Sequence, residues 1–168
     1  MEVEGAGQKR SAGVRGDGKR TVVMLNDSKL LRNGGWGALV RGARLECNEC
    51  SSQGNKLGGF KGAAGSTLRL VDCTSKRDHK GVVVGDSQTN FTRVVVEESA
   101  ASAFCVRSNK HQPKILNCKA LECKGTALVL EGRGEERVYV DCFKASGMAG
   151  GNGALVSQGS RADLKTCS

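Results

Sequence analysis

Short apolar runs of three to five residues recur along the chain, separated by polar, glycine-containing stretches. One set reads Gly37-Ala38-Leu39-Val40, Gly81-Val82-Val83-Val84, Ala103-Phe104-Cys105-Val106, Ala127-Leu128-Val129-Leu130 and Gly153-Ala154-Leu155-Val156. A second set runs into an acidic or amide residue and then a small one: "LECNECSS" with Cys50, "LRLVDCTS" with Cys73, "VVVEESAA" with Ser99, "KILNCKA" with Cys118, "VYVDCFKAS" with Cys142 and "ADLKTCS" with Cys167. The small residues follow one another at intervals of 23, 26, 19, 24 and 25 residues. Runs this short and rich in Val and Leu predict strands and are too short for helices. A repeat of about two dozen residues predicts stacked structural units.

The pieces between the runs, such as "GDSQTN", "RSNKHQP" and "EGRGEE", read as turns. They are not two-residue hairpin turns, so each strand is expected to pair in parallel with its counterpart one repeat away, at about 4.8 Å. The expected architecture is all-β: a single-stranded, right-handed parallel β-helix of about six coils. A leucine-rich-repeat solenoid is the alternative, because Leu68 to Cys73 matches that repeat's core, but Ser, Gly, Asn and Lys follow the Cys positions where that family needs leucines. Residues 1–18 hold Gly and charge and read as a flexible polar, basic leader; residues 19–168 read as the solenoid, complete or a fragment of a longer one.

This period and pattern resemble the parallel β-helix of the pectin-lyase-like superfamily over about residues 20–168. Many members of that superfamily cut acidic polysaccharides with clustered Asp, or Asp with Lys or Arg. The chain shows no adjacent Asp pair on an expected strand, no Gly-His-Gly and no Arg-x-Lys motif. The resemblance therefore implies the coil more than the chemistry. The expected function is a non-enzymatic scaffold that binds a protein or glycan partner through its lateral face or turns. A polysaccharide lyase or hydrolase is the alternative, and polyanion or nucleic-acid binding by Lys-rich turns a weaker one.

Charge adds attraction to anions without choosing among them: Lys and Arg number 26 against 17 Asp and Glu, a formal balance of +9. Lys76, Arg77, Lys80, Lys119 and Lys124 are the polyanion-contact candidates. With one Trp, one Tyr and four Phe there is little aromatic surface for base stacking, so nucleic acid is disfavoured. If the Cys positions point inward, the residues before them point outward, and Glu49, Asp72, Glu98 and Asp141 would form an acidic edge suited to a cation or a basic partner.

The eight cysteines are expected to be reduced, and the repeat positions Cys50, Cys73, Cys118, Cys142 and Cys167 to be buried thiols. Two close pairs, Cys47 with Cys50 and Cys118 with Cys123, lie about three coils apart and so cannot share a zinc ion. No catalytic residue, metal or cofactor is assigned. No run reaches the roughly 18 apolar residues of a membrane helix, and no apolar signal segment follows Met1, which points to an intracellular protein if Met1 is the start. Apolar coil ends predict end-to-end self-association.

Overall fold

The computed structural model of the protein describes residues 1–4, 11–108, 111–132, 137–156 and 161–165. Among these there are strands and turns and no helix. The strands form three parallel sheets of seven strands each, which wind as a β-solenoid of about six turns. Sheet I holds three-residue strands: Glu2–Glu4, Lys29–Leu31, Ser51–Gln53, Thr74–Lys76, Val95–Glu97, Lys119–Leu121 and Lys144–Ser146. Sheet II holds Val14–Asp17, Trp36–Arg41, Gly58–Ala63, Val82–Gly85, Phe104–Ser108, Leu128–Gly132 and Ala154–Val156. Sheet III holds Val22–Asn26, Arg44–Asn48, Thr67–Val71, Gln88–Thr92, Lys114–Leu116, Arg137–Asp141 and Arg161–Lys165.

Sheet II contains the first set of apolar runs and sheet III the second, except "VVVEESAA", whose valines run into the sheet I strand Val95–Glu97. Sheet I escapes a hydropathy reading, because each of its strands turns a single side chain inward and that residue is Ser52 or Ser75 in two coils. The stretch expected to be a leader contributes strands too. Glu2–Glu4 pairs with Lys29–Leu31, and Val14–Asp17 pairs with Ala38–Arg41. Residues 5–10 of that stretch lie outside the described residues.

In-register pairing stacks like on like inside the coil. Leu25, Cys47, Leu70, Phe91, Ile115 and Val140 form one inward column of sheet III. Val14, Ala38, Phe60, Val82, Phe104 and Leu128 form one of sheet II. The scarce aromatics meet in the middle coils: Phe104 lies 6.4 Å from Phe91 and stands edge-on to Phe143 at 5.6 Å. Such pairs add about 1 kcal/mol each beyond the area they bury.

The coil turns at corners built to one pattern: a residue in the left-handed region, then a residue pointing in, most often a small one. Between sheets III and I the left-handed residues are Asp27, Glu49, Asp72, Arg93, Asn117 and Cys142. The residues after them are Ser28, Cys50, Cys73, Val94, Cys118 and Phe143. Cysteine suits this position for a reason beyond size. The Sγ donates to the carbonyl two residues earlier, Cys50 to Asn48 at 3.3 Å, Cys73 to Val71 at 3.2 Å and Cys118 to Leu116 at 3.3 Å, and the Ser28 hydroxyl does the same to Asn26 at 2.8 Å. A weak donor thus satisfies a buried corner carbonyl without bringing a polar group that needs more partners.

This corner corrects the expected cysteine column in two places. Val94, not Ser99, occupies the fourth position; Ser99 belongs to the next corner, between sheets I and II, after left-handed Glu98. Cys142 is itself the left-handed residue and is half-exposed, while Phe143 points in. Cys50, Cys73 and Cys118 are buried thiols as expected; Cys167 lies outside the described residues.

The corner between sheets I and II carries a polar column. Asn33, Asn55 and Asp78 stack in successive coils, all essentially buried. The Asn33 Nδ2 donates to Asn55 Oδ1 at 2.9 Å, and Asn55 Nδ2 donates to Asp78 Oδ1 at 2.9 Å. The backbone N–H of Asn55 reaches the same Asp78 oxygen at 2.7 Å, and the Ser75 hydroxyl donates to Asp78 Oδ2 at 2.6 Å. Burial pushes the Asp78 carboxyl above its ordinary range, against the pull of these donors. Glycine is required beside it: a Cβ on Gly59 would lie 2.5 Å from Ser75 Oγ and 2.9 Å from Asp78 Oδ2.

Candidate binding face

Alternation in sheet III sends Leu45, Leu68 and Phe91 inward and Arg44, Arg69 and Asn90 outward. Parallel in-register pairing then makes the outward residues columns. The central one runs Met24, Glu46, Arg69, Asn90, Lys114 and Tyr139. Beside it lie Val22, Arg44, Thr67 and Gln88.

The middle of this face is a shallow groove of about 370 Å³, bounded by Arg44, Glu46, Arg69, Gln88, Asn90 and Lys114 among others. A smaller depression of about 210 Å³ continues it towards Met24 and Asn26, sharing Glu46 and Arg69. The lining is polar and its charge is predominantly positive. Its carboxylate, Glu46, is engaged by the Arg44 guanidinium. Further along the face Arg137 pairs with Asp163 at 3.6 Å, and the Lys165 ammonium sits 5.5 Å from the centre of the Tyr139 ring. Arg69 and Lys114 have no ion-pair partner among the described residues. They flank Asn90 from the two neighbouring strands, which sets their backbones about 10 Å apart.

Periodicity exposed Arg44–Asn48, Thr67–Val71, Lys114–Leu116 and Arg137–Asp141 but not Gln88–Thr92, and the column itself depended on a register that hydropathy alone does not supply. The outward positions of Arg44–Asn48, Thr67–Val71 and Gln88–Thr92 carry the signal, and "GDSQTN", read as a turn, is in part the strand Gln88–Thr92.

The expected acidic edge is divided. Glu49 and Asp72 do share one corner in adjacent coils. Asp72, however, is held by Arg93, whose Nε and Nη2 reach the two carboxylate oxygens at 2.6 and 2.7 Å and hold the carboxyl below its usual range. Glu98 lies at the next corner, 3.1 Å from the Lys76 ammonium, and Asp141 ends a sheet III strand opposite Leu116. The four carboxylates thus do not line up.

The basic candidates separate as well. Lys76 is paired with Glu97 at 2.9 Å and with Glu98, which together raise its affinity for its proton, and Arg77 lies 3.9 Å from Glu98. Lys80 sits on the sheet II side, near enough to Lys61 to lower that residue's pKa, although burial is the larger cause. The Lys61 ammonium lies 5.1 Å from the Trp36 ring. Lys119 stands on the outside of sheet I in register with Lys144, and exposed Lys124 follows the corner beyond it.

Among the described residues no group of three or more His, Cys, Asp or Glu is arranged to hold a metal ion, and no helix is long and apolar enough to cross a membrane. No protein-family profile, no curated protein and no solved structure matches the chain.

Proposed function

We propose that the protein is a non-enzymatic β-solenoid scaffold whose sheet III face binds an extended, anionic glycan. The observation that carries the reading is the outward column Arg69, Asn90, Lys114 and Tyr139. It offers two cations without ion-pair partners among the described residues, an amide between them and an aromatic ring at the end, in a straight line along the coil axis. A carboxylated chain laid along that axis meets a charge-assisted donor at every second strand, an amide donor and acceptor between, and an apolar ring for a sugar face. The resemblance of the coil to the pectin-lyase-like superfamily, many of whose members act on acidic polysaccharides, supports the same ligand class.

Binding without cleavage is favoured by the groove's inventory. Glycoside hydrolysis uses two carboxylates on either side of the scissile bond, whereas the groove offers Glu46, already engaged by Arg44. The test is a calorimetric titration with an oligogalacturonate and with a neutral oligosaccharide of equal length. The reading expects saturable binding of the acidic ligand alone, weakening as salt is raised, with no new reducing ends or unsaturated products. Equal binding of both ligands, binding of neither, or turnover would overturn it.

A further inference from the structure

Sheet II carries a basic cluster on its outer side, away from the sheet III face. It is organised around the one tryptophan of the chain. Trp36 pairs in register with Gly58. A Cβ on Gly59 would point inward at Ser75 and Asp78, whereas one on Gly58 would meet the Trp36 ring at 2.4 Å. The indole therefore lies across the Gly58 backbone on the outside of the coil. Lys61, three residues further along that strand, sets its ammonium 5.1 Å from the ring centre. Trp36 is left 7% exposed.

Two more cations converge on Lys61. Leu39 stands opposite Lys61, so Arg41, two residues along that neighbouring strand, is its diagonal neighbour on the same face, with backbones about 8 Å apart. Val83 stands opposite on the other side, and Lys80 precedes it by three residues. Burial above all, then the charges of Arg41 and Lys80, lower the Lys61 pKa. None of the three cations has an ion-pair partner among the described residues. Asp17, in register with Arg41, is held by Arg15 at 2.5 Å, Glu131 is engaged by Arg107, and Asp86 stands at the corner beyond Gly85. The floor beside Arg41 is open: its partner on the next strand is Ala63, and a Cβ on Gly85 beyond would meet nothing within 4 Å.

We propose that Arg41, Lys61 and Lys80 form a site for a phosphate group, and that the bound group draws the Lys61 ammonium off the Trp36 ring. A doubly charged tetrahedral anion suits three cations that reach it from three neighbouring strands. The Arg41 guanidinium can take two oxygens at once, while each lysine supplies a point charge to another. A carboxylate brings one charge and two coplanar oxygens, which leaves the third cation uncompensated. Lys61 exchanges a cation–π contact at the surface for a charge-assisted hydrogen bond, the stronger of the two.

The site lies on a different sheet from Arg69 and Lys114 and takes a more compact anion, so it stands apart from the glycan reading. The fold also supplies the reporter. Trp36 is the single tryptophan, and its ring loses the Lys61 cation when the site fills, so its emission follows the exchange directly.

The full chain should be titrated with inorganic phosphate, with glycerol phosphate and with acetate, each against sodium chloride of equal ionic strength, while Trp36 emission is followed. A saturable change is expected with phosphate and none with acetate or chloride; the tighter of the two phosphate forms tells whether the group is taken free or esterified. Arg41→Gln keeps the reporter and should raise the half-saturating phosphate concentration at least about tenfold. Lys61→Gln should abolish the change, with circular dichroism confirming the fold; if that variant unfolds, Arg41→Gln decides. The Arg69→Ser/Lys114→Ser variant should stay within about twofold of the parent, which separates this site from the sheet III face. A change matched by acetate or chloride, no saturable change with either phosphate form, an unshifted Arg41→Gln midpoint, a response surviving Lys61→Gln, or a loss in the sheet III variant would overturn the proposal.

Discussion

Arg93 grips Asp72 across one coil with two parallel hydrogen bonds of 2.6 and 2.7 Å, and both residues stand at φ 53° at the corner between sheets III and I. The corner demands a backbone conformation that suits glycine, yet a charged pair fills it in adjacent coils. The bridge and the backbone strain oppose each other, so the replacement chosen should decide the sign. Arg93→Gly loses the bridge and gains an unstrained corner, leaving the urea midpoint close to the parent's. Arg93→Val loses the bridge and places a β-branched residue at positive φ, lowering the midpoint clearly. Because the Asp72 carboxyl is held low by Arg93, its contribution is present at neutral pH and fades as pH falls through the folded-state pKa. Arg93→Gly should therefore show a shallower loss of stability in acid than the parent.

Asp78 is the opposite case. Burial raises its pKa, so the folded protein holds a proton that the unfolded chain has released, and stability falls as pH rises from the unfolded value near 3.8 through the folded one. Asp78→Asn removes the buried charge, keeps Oδ1 for Asn55 and offers Nδ2 to Ser75 Oγ. It should stabilise the protein at pH 7, and the gain should shrink as pH is lowered through the raised folded-state pKa and be gone near the unfolded value of 3.8. Asp78→Ala leaves the Asn55 donors and Ser75 without their acceptor and should cost about 2–4 kcal/mol. Urea unfolding of both variants at pH 7 and pH 4 checks the pair.

Glycine substitutions separate the polar column from ordinary surface. Gly59→Ala drives its Cβ against Ser75 Oγ and Asp78 Oδ2 in a packed interior and should cost on the order of 2 kcal/mol or more. Gly85→Ala meets nothing within 4 Å at an ordinary φ and should be neutral or slightly stabilising. Thermal melts of the two variants side by side give the comparison.

The corner thiols predict a labelling order and a stability cost. Native alkylation should reach half-exposed Cys105 and Cys142 well before Cys73 and Cys118. Cys118→Asp places a carboxylate among apolar neighbours and should destabilise by about 3–5 kcal/mol, whereas Cys118→Ser keeps a donor for the Leu116 carbonyl and should cost about 1 kcal/mol.

In most coils two of the three strands were legible because their inward residues are large and apolar, as in Phe104–Val106 and Leu68–Leu70; Val14–Asp17, Gly58–Ala63 and Gln88–Thr92 were missed, being rich in Gly or polar residues. Sheet I was not, since Ser52 and Ser75 give no hydropathy contrast. The cysteine repeat marked one corner truly at Cys50, Cys73 and Cys118. The unequal steps of 26 and then 19 around Ser99 were the trace of a slipped register, and reading Val94 instead evens them to 21 and 24. That slip put Glu98 into the expected acidic edge, and a separate one-residue offset, with Cys142 itself at the left-handed position, put Asp141 there. The Asn33, Asn55 and Asp78 column was hidden for a different reason: its residues look like turn formers, and only stacking reveals that they bond to one another. The binding face needed the pairing of Asn90 with both Arg69 and Lys114, which follows from register and not from any local motif.

The most direct test of the proposed face is the affinity of the full chain for an oligogalacturonate, compared with that of the Arg69→Ser/Lys114→Ser double variant and of a Lys119→Ser/Lys124→Ser control that removes equal charge elsewhere. Both pairs are exposed, so the fold should survive. The account predicts at least a tenfold loss of affinity and a weaker salt dependence for the sheet III variant, with the control within about twofold of the parent. Equal losses in the two variants would reduce binding to net charge, and an unchanged affinity in the sheet III variant would contradict the account outright.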